Sequence, residues 1–94
     1  MNRGEILLTA EKYVNGDREQ QYGTPENNFS IIAKFWSTYL GEQGMITTSI
    51  DAHDVAVMMA LLKIARITSG QHKDDNYIDL AGYAACGGEI ATKE

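Results

Sequence analysis

Lys63 and Arg66 stand three positions apart in Lys63-Ile-Ala-Arg66, and Asn76 and Asp79 stand three apart in Asn76-Tyr-Ile-Asp79. Both pairs interrupt stretches that are otherwise apolar, where a charged side chain needs a partner. On a helix, residues at this spacing share a face. The two cations suit phosphate oxygens, arginine through its planar fork and lysine as a compact charge, with His72 or Lys73 near enough in sequence to join them. Asn76 and Asp79, with Tyr83 a further turn along, offer groups for a ligand hydroxyl, a metal or an internal cation such as Lys63 or Arg66. A plainer account competes. Cations near a helix C-terminus complement its dipole with their stems lying over apolar neighbours, and Asp74 and Asp75 cap the next helix.

A second group of acids, Asp51 and Asp54 with His53 between them, falls at the start of a helix, where the dipole favours carboxylates for structural reasons alone. Together with Asn76 and Asp79 it could also form a divided oxygen-ligand site for magnesium, whose metal ligands would be Asp51, Asp54 and Asp79. Asp54 and Lys63 are nine positions apart, which at about 100° per residue sets them on opposite sides of one helix. A pocket using both would therefore draw on a second chain. The segment Arg18 to Phe29 is dense in hydrogen-bonding groups and holds Tyr22 and Asn28, as binding loops often are. It can equally be an interhelical turn in which Gly23 takes a positive φ and Pro25 starts the next helix. Tyr22 would then be either a ring for base stacking or a lid over the core. Trp36 and Cys86 read as packed residues.

These residues have to be positioned by helices. Pro occurs once, strand signals are nearly absent, and helix punctuation recurs, so the pattern predicts an all-α domain of four helices. The first is expected from Arg3 to Asn15, with Asn2 as cap, Glu5 at the capping-box position, and Ile6, Leu7, Ala10, Tyr13 and Val14 facing inward until Gly16 ends it. A loop over residues 17–23 follows. Thr24-Pro25-Glu26 opens the second helix, which stops at Gly41 and carries Phe29, Ile32, Ala33, Trp36 and Leu40 on one face, with Ile31, Phe35 and Tyr39 beside it. The third runs from near Ser49 to before Gly70 and is apolar most of the way round, as a central helix would be. The fourth starts at Asp74 or Asp75 and runs towards Ala91 with a surface of small residues. Two adjacent glycines there, Gly87 and Gly88, cost roughly 1 kcal/mol each unless packing compensates.

Composition sets the outer limits. Ninety-four residues make one domain, 1–94, with a core so marginal that a homo-oligomer is expected. Eight Lys and Arg against 13 Asp and Glu give a net charge of -5, which argues against general nucleic-acid binding. The single cysteine suits a reducing cytoplasmic setting. No apolar run reaches membrane-spanning length and no signal-peptide pattern opens the chain, so no membrane partner is expected.

The combination Tyr22-Gly23-x-Pro25-x-x-Asn28-Phe29, Trp36, Asp54-Val55, Met59, Lys63-Ile-Ala-Arg66 and Asp75-Asn76-x-x-Asp79-Leu-Ala-Gly-Tyr83 resembles small phage and prophage proteins of uncharacterised function. These are distantly similar to the all-α MazG-like nucleotide pyrophosphohydrolases, and the resemblance covers roughly residues 18–89. It implies a compact MazG-like helical domain and a cytoplasmic protein, in the host cell if phage-encoded. In that family two glutamates three apart and a Glu-x-x-Asp pair coordinate magnesium for cleavage of a nucleoside triphosphate. The matching positions here are Asp51 and Asp54, then Asn76 and Asp79, so an amide replaces one carboxylate and two acids are a methylene shorter. Magnesium demands near-ideal octahedral geometry, and this thinned set favours holding a nucleotide over cutting it. The expected ligand is a phosphorylated nucleotide or nucleotide-derived signal held by Lys63, Arg66, Asn76, Asp79, Tyr83, Tyr22, Asn28 and Lys73, with no cofactor required. For a phage protein such binding would sequester the signal as an anti-defence device. The alternatives are a magnesium-dependent pyrophosphohydrolase and a non-catalytic assembly protein.

Overall fold

The computed structural model describes residues 1–93, with the backbone alone at positions 17 and 18, and every regular element among them is helical. The chain forms α1 (Arg3–Lys12), a π-helical turn (Tyr13–Asp17), α2 (Arg18–Tyr22), α3 (Pro25–Glu42), α4 (Ala52–Thr68) and α5 (Asp74–Lys93). Local chemistry explains most of the boundaries. Asn2 and Glu5 close a reciprocal capping box, Thr24 accepts from the Asn27 amide with Pro25 in the first turn, and Asp51 and Asp54 close a second box. Gly23, Gly44 and Gly70 follow α2, α3 and α4 with φ of 83°, 70° and 79°, a conformation that costs glycine no Cβ clash.

Gly16 does not end the first helix. The chain passes through it in the π-helical turn and stays helical to Tyr22, so most of the expected loop over residues 17–23 is helix. The stop moves to Gly23. A π-turn is one extra residue carried inside a helix, and here the turn itself packs closely on α5: a Cβ on Gly82 would lie 3.1 Å from the Val14 Cγ1. Tertiary contact with α5 thus supports a segment that local propensity would have released. The second helix also outruns Gly41, and α4 begins after Asp51 rather than near Ser49.

The core is built where α3, α4 and α5 meet, from Phe29, Ala33, Val55, Ala56, Cys86 and Ile90, with Trp36, Met59 and Tyr83 packed against it. α4 and α5 make the most extensive contact, and small residues allow it: a Cβ on Gly87 would stand 3.1 Å from that of Ala56. Gly88, by contrast, faces open space. The Ser37 hydroxyl accepts from the Ile50 amide at 3.0 Å and fixes the α3–α4 connection to α3. Two expected inward faces are wrong. Leu7 is 64% exposed, and α4 is not a central helix, since only Val55, Ala56 and Lys63 of it are buried. Its outer side, with Val57, Leu61 and Ile64, faces away from the rest of the chain.

Candidate functional site

Lys63 is the one charged residue among the described residues that is buried, at 8% exposure, and its Nζ lies 2.9 Å from the Asp79 Oδ2. The geometry follows from α4 packing on α5: Lys63 sits on the α4 face that carries Ala56, and Asp79 sits on the α5 face that carries Tyr83 and Cys86. Two charges so far from water are tolerable only with each other and with further hydrogen bonds. No buried side-chain nitrogen or oxygen among the described residues lacks a partner. Of the three expected partners of Asp79, a ligand hydroxyl, a metal or an internal cation, the internal cation is the one present. Arg66, one turn further along α4, is exposed and contributes to the helix C-terminus.

In front of Asp79 opens a cleft of about 330 Å³ between the first helical segments, α3 and α5. Tyr22, Asn28, Asp79 and Tyr83 of the expected ligand-binding residues all line it. The structure adds Glu19, Tyr13 and Phe29, and the Phe29 and Tyr83 rings stand 6.1 Å apart, tilted by 37°. Ala10, Val14, Ile32, Met59 and Ile78 make the remainder of the wall mostly apolar. A concave, largely apolar site with a few convergent polar groups is the usual form of a small-molecule pocket. Lys63, Arg66, Lys73 and Asn76 do not line it, and its described side chains include no lysine or arginine.

The second group of acids lies elsewhere. The Asp51 Oδ1 accepts from the Asp54 amide at 2.9 Å and the Asp54 Oδ2 accepts from the Asp51 amide at 3.0 Å. Both carboxylates thus satisfy backbone donors that the first turn of α4 leaves without helical partners. With His53 they form a group whose potential ligand atoms lie within 4.8 Å of one another, but Asp79 is outside it. Asp54 and Lys63 are separated by about 13 Å of helix rise and by half a turn, so the carboxylate that holds Lys63 is set well away from α4's first turn. Asp54 is exposed where Lys63 is buried, as their spacing requires.

The family is decided by a match over residues 5–91 to a domain of unknown function. The chain belongs to the DUF6378 family. It is 46% identical over 79 residues to the gene 55 protein of Mycobacterium phage L5, a stretch covering 84% of this chain and 47% of that protein. It is 40% identical over 81 residues to the gene 55 protein of Mycobacterium phage D29, covering 86% and 50%. The chain thus spans about half the length of these curated relatives, and the phage resemblance read from the sequence holds. No solved structure matches.

Elsewhere in this DUF6378 domain, charge links elements together. Lys93 near the end of α5 donates to the Glu26 Oε1 at 2.7 Å and lies 3.5 Å from the Glu89 Oε1. That hydrogen bond holds the Glu26 carboxyl below its ordinary range and raises Lys93 above its own. Asp74, accepting from His72, is lowered likewise, and its other oxygen meets the N-terminal ammonium at 3.4 Å. Sequence reasoning missed Glu19 and Tyr13 because their role comes from the π-turn, for which no residue pattern gives a signal. Phe29 and Cys86 are both core and cleft wall, and only the core half of that was legible. Among the described residues no helix is long and apolar enough to cross a membrane.

Proposed function

We propose that this domain binds a nucleotide-derived small molecule in the cleft between its first helical segments, α3 and α5, and holds it without cutting it. The observation that carries this reading is the convergence of Tyr22, Asn28, Asp79 and Tyr83 on one largely apolar cleft. Aromatic faces stack nucleobases at about 1–3 kcal/mol per base, and an amide with nearby carboxylates accepts from base N–H groups. The base enters the cleft, and the phosphates stay at its mouth, because the described lining offers acids rather than cations. Lys63 acts through Asp79, whose carboxylate it fixes.

Holding is favoured over hydrolysis because Asp51 and Asp54 are engaged in capping α4 and do not join Asp79 in one ligand set. The MazG-like alternative, a magnesium-dependent pyrophosphohydrolase, draws its support from the Asp51, His53 and Asp54 cluster. In a family with phage members we read the ligand as a host signal sequestered in the cytoplasm as an anti-defence measure. We also read the chain as a homo-oligomer.

Incubation with a panel of nucleoside triphosphates, dinucleotides and cyclic nucleotides plus magnesium, followed by mass spectrometry of retained ligand and released product, tests these readings together. Intact retained ligand is expected, weakened about 5- to 150-fold in Tyr22→Ala by the loss of one stacking contact. Monophosphate and pyrophosphate in solution would establish the enzyme instead. Neither retention nor product would leave an assembly protein.

A further inference from the structure

α4 runs without a charged residue from Val55 to Leu62, in a protein of net charge -5. Val55 and Ala56 turn inward, but Val57, Leu61 and Ile64 are 45%, 59% and 44% exposed and recur at i, i+4 and i+7, the spacing of a single helix ridge. Met58 and Leu62 form a parallel ridge beside them, 39% and 38% exposed. α3, packed against α4, carries a strip of its own: Ile31, Phe35 and Tyr39 are 53%, 72% and 62% exposed at intervals of four. Scattered apolar residues are ordinary on a soluble surface, but rows of them along two packed helices mark surface that a partner covers.

We infer that a second copy of this chain covers the outer ridge of α4 and the exposed strip of α3. This deepens the homo-oligomer reading by naming its face. Area and chemistry select this occupant. The exposed parts of these side chains amount to on the order of 800 Å², close to what each partner contributes to a standard-size interface. The ridge is uncharged, so it offers a different protein no charge pattern to read, whereas an apolar ridge is complementary to its own twofold copy. The isolated domain also needs the burial, for among the described residues its core contains eight buried apolar residues, four of them alanine or cysteine. The cleft is lined by none of the ridge residues, so a dimer formed here leaves it open.

Light scattering after size exclusion at about 100 µM tests the inference, with circular dichroism to check that each variant is helical. Wild type is expected to run as a dimer whose melting temperature rises with concentration, as an association linked to folding requires. Leu61→Asp places a charge at the centre of the ridge and is expected to raise the dimer dissociation constant at least 100-fold while keeping the helical spectrum. Ile64→Asp, on the same ridge, is the second variant should the first lose helix, and the same loss is expected. A wild-type chain of 10.4 kDa overturns both the face and the oligomer reading, and gives the ridge to another segment such as the further length of the relatives. A dimer that persists in both folded variants overturns the face alone. Ligand retention by a monomeric Leu61→Asp leaves the cleft reading intact, so the two readings fail separately.

Discussion

Asp51 and Asp79 are the same residue type, each with a polar partner three positions away near the start of a helix, yet the structure uses them in opposite ways. Asp51 is exposed and satisfies the Asp54 amide, a donor supplied by its own helix. Asp79 is largely shielded from water and satisfies Lys63, a cation delivered by another helix. The first role is local and would exist in an isolated segment. The second exists only once α4 and α5 have packed. Spacing on a helix therefore identifies which groups can share a face, and burial decides what they must do there.

The contrast is sharpest in what each residue contributes to stability. Asp79→Ala leaves a buried ammonium without its carboxylate and is expected to destabilise the fold by about 3–5 kcal/mol in urea unfolding. The double variant Lys63→Met, Asp79→Leu removes both charges and should recover most of that loss; a double variant as unstable as the single one would break the comparison, because the cost would then lie in lost shape and not in the orphaned charge. Asp51→Ala removes a cap and is expected to cost about 1 kcal/mol, with Asp51→Asn close to neutral, in the same assay. The Glu26–Lys93 link is the surface counterpart of the Lys63–Asp79 pair and should have the smallest effect. Because the folded Glu26 carboxyl is held below its ordinary value of 4.5, its contribution is present above that pH and is lost as pH falls through the lowered folded value. Comparing thermal melts of wild type and Lys93→Met at pH 6 and at pH 3 should give a small difference that disappears in acid; an equal difference at both would locate the contribution of Lys93 outside that link.

The same division between local and tertiary causes sets how much could be read from the residues alone. The starts at Asn2 and Thr24 were legible because a cap is satisfied within its own first turn, whereas the third helix, expected near Ser49, begins only after the Asp51 cap. Gly16 misled because nothing local holds a helix together there, and the support comes from Val14 packing on Gly82, far along the chain. α4 read as central for a related reason: an apolar sequence says that a face seeks cover without saying which chain provides it. Lys63 is among the partners that the sequence offers Asp79, and the structure pairs the two. The grouping of Tyr22 with Asn28, Asp79 and Tyr83 was only half legible, since the sequence pairs Asp79 with Tyr83 on one helix and Tyr22 with Asn28 in one segment, while the cleft that unites the pairs belongs to no single element. Lys63 is directed inward to Asp79 while Arg66 is exposed, a difference that their shared spacing on the helix does not reveal.

The π-turn at Tyr13–Asp17 has a consequence for the length of the chain itself. It is an insertion of one residue that the helix absorbed without breaking, so everything after it is displaced by about 100° around the axis from where an unbroken α-helix would carry it. Glu19 and Tyr22 face the cleft only because of that extra residue. A homologue shortened by a single codon in this turn would keep the helix, the core and nearly every side chain, and would nonetheless present a different wall to whatever the cleft receives.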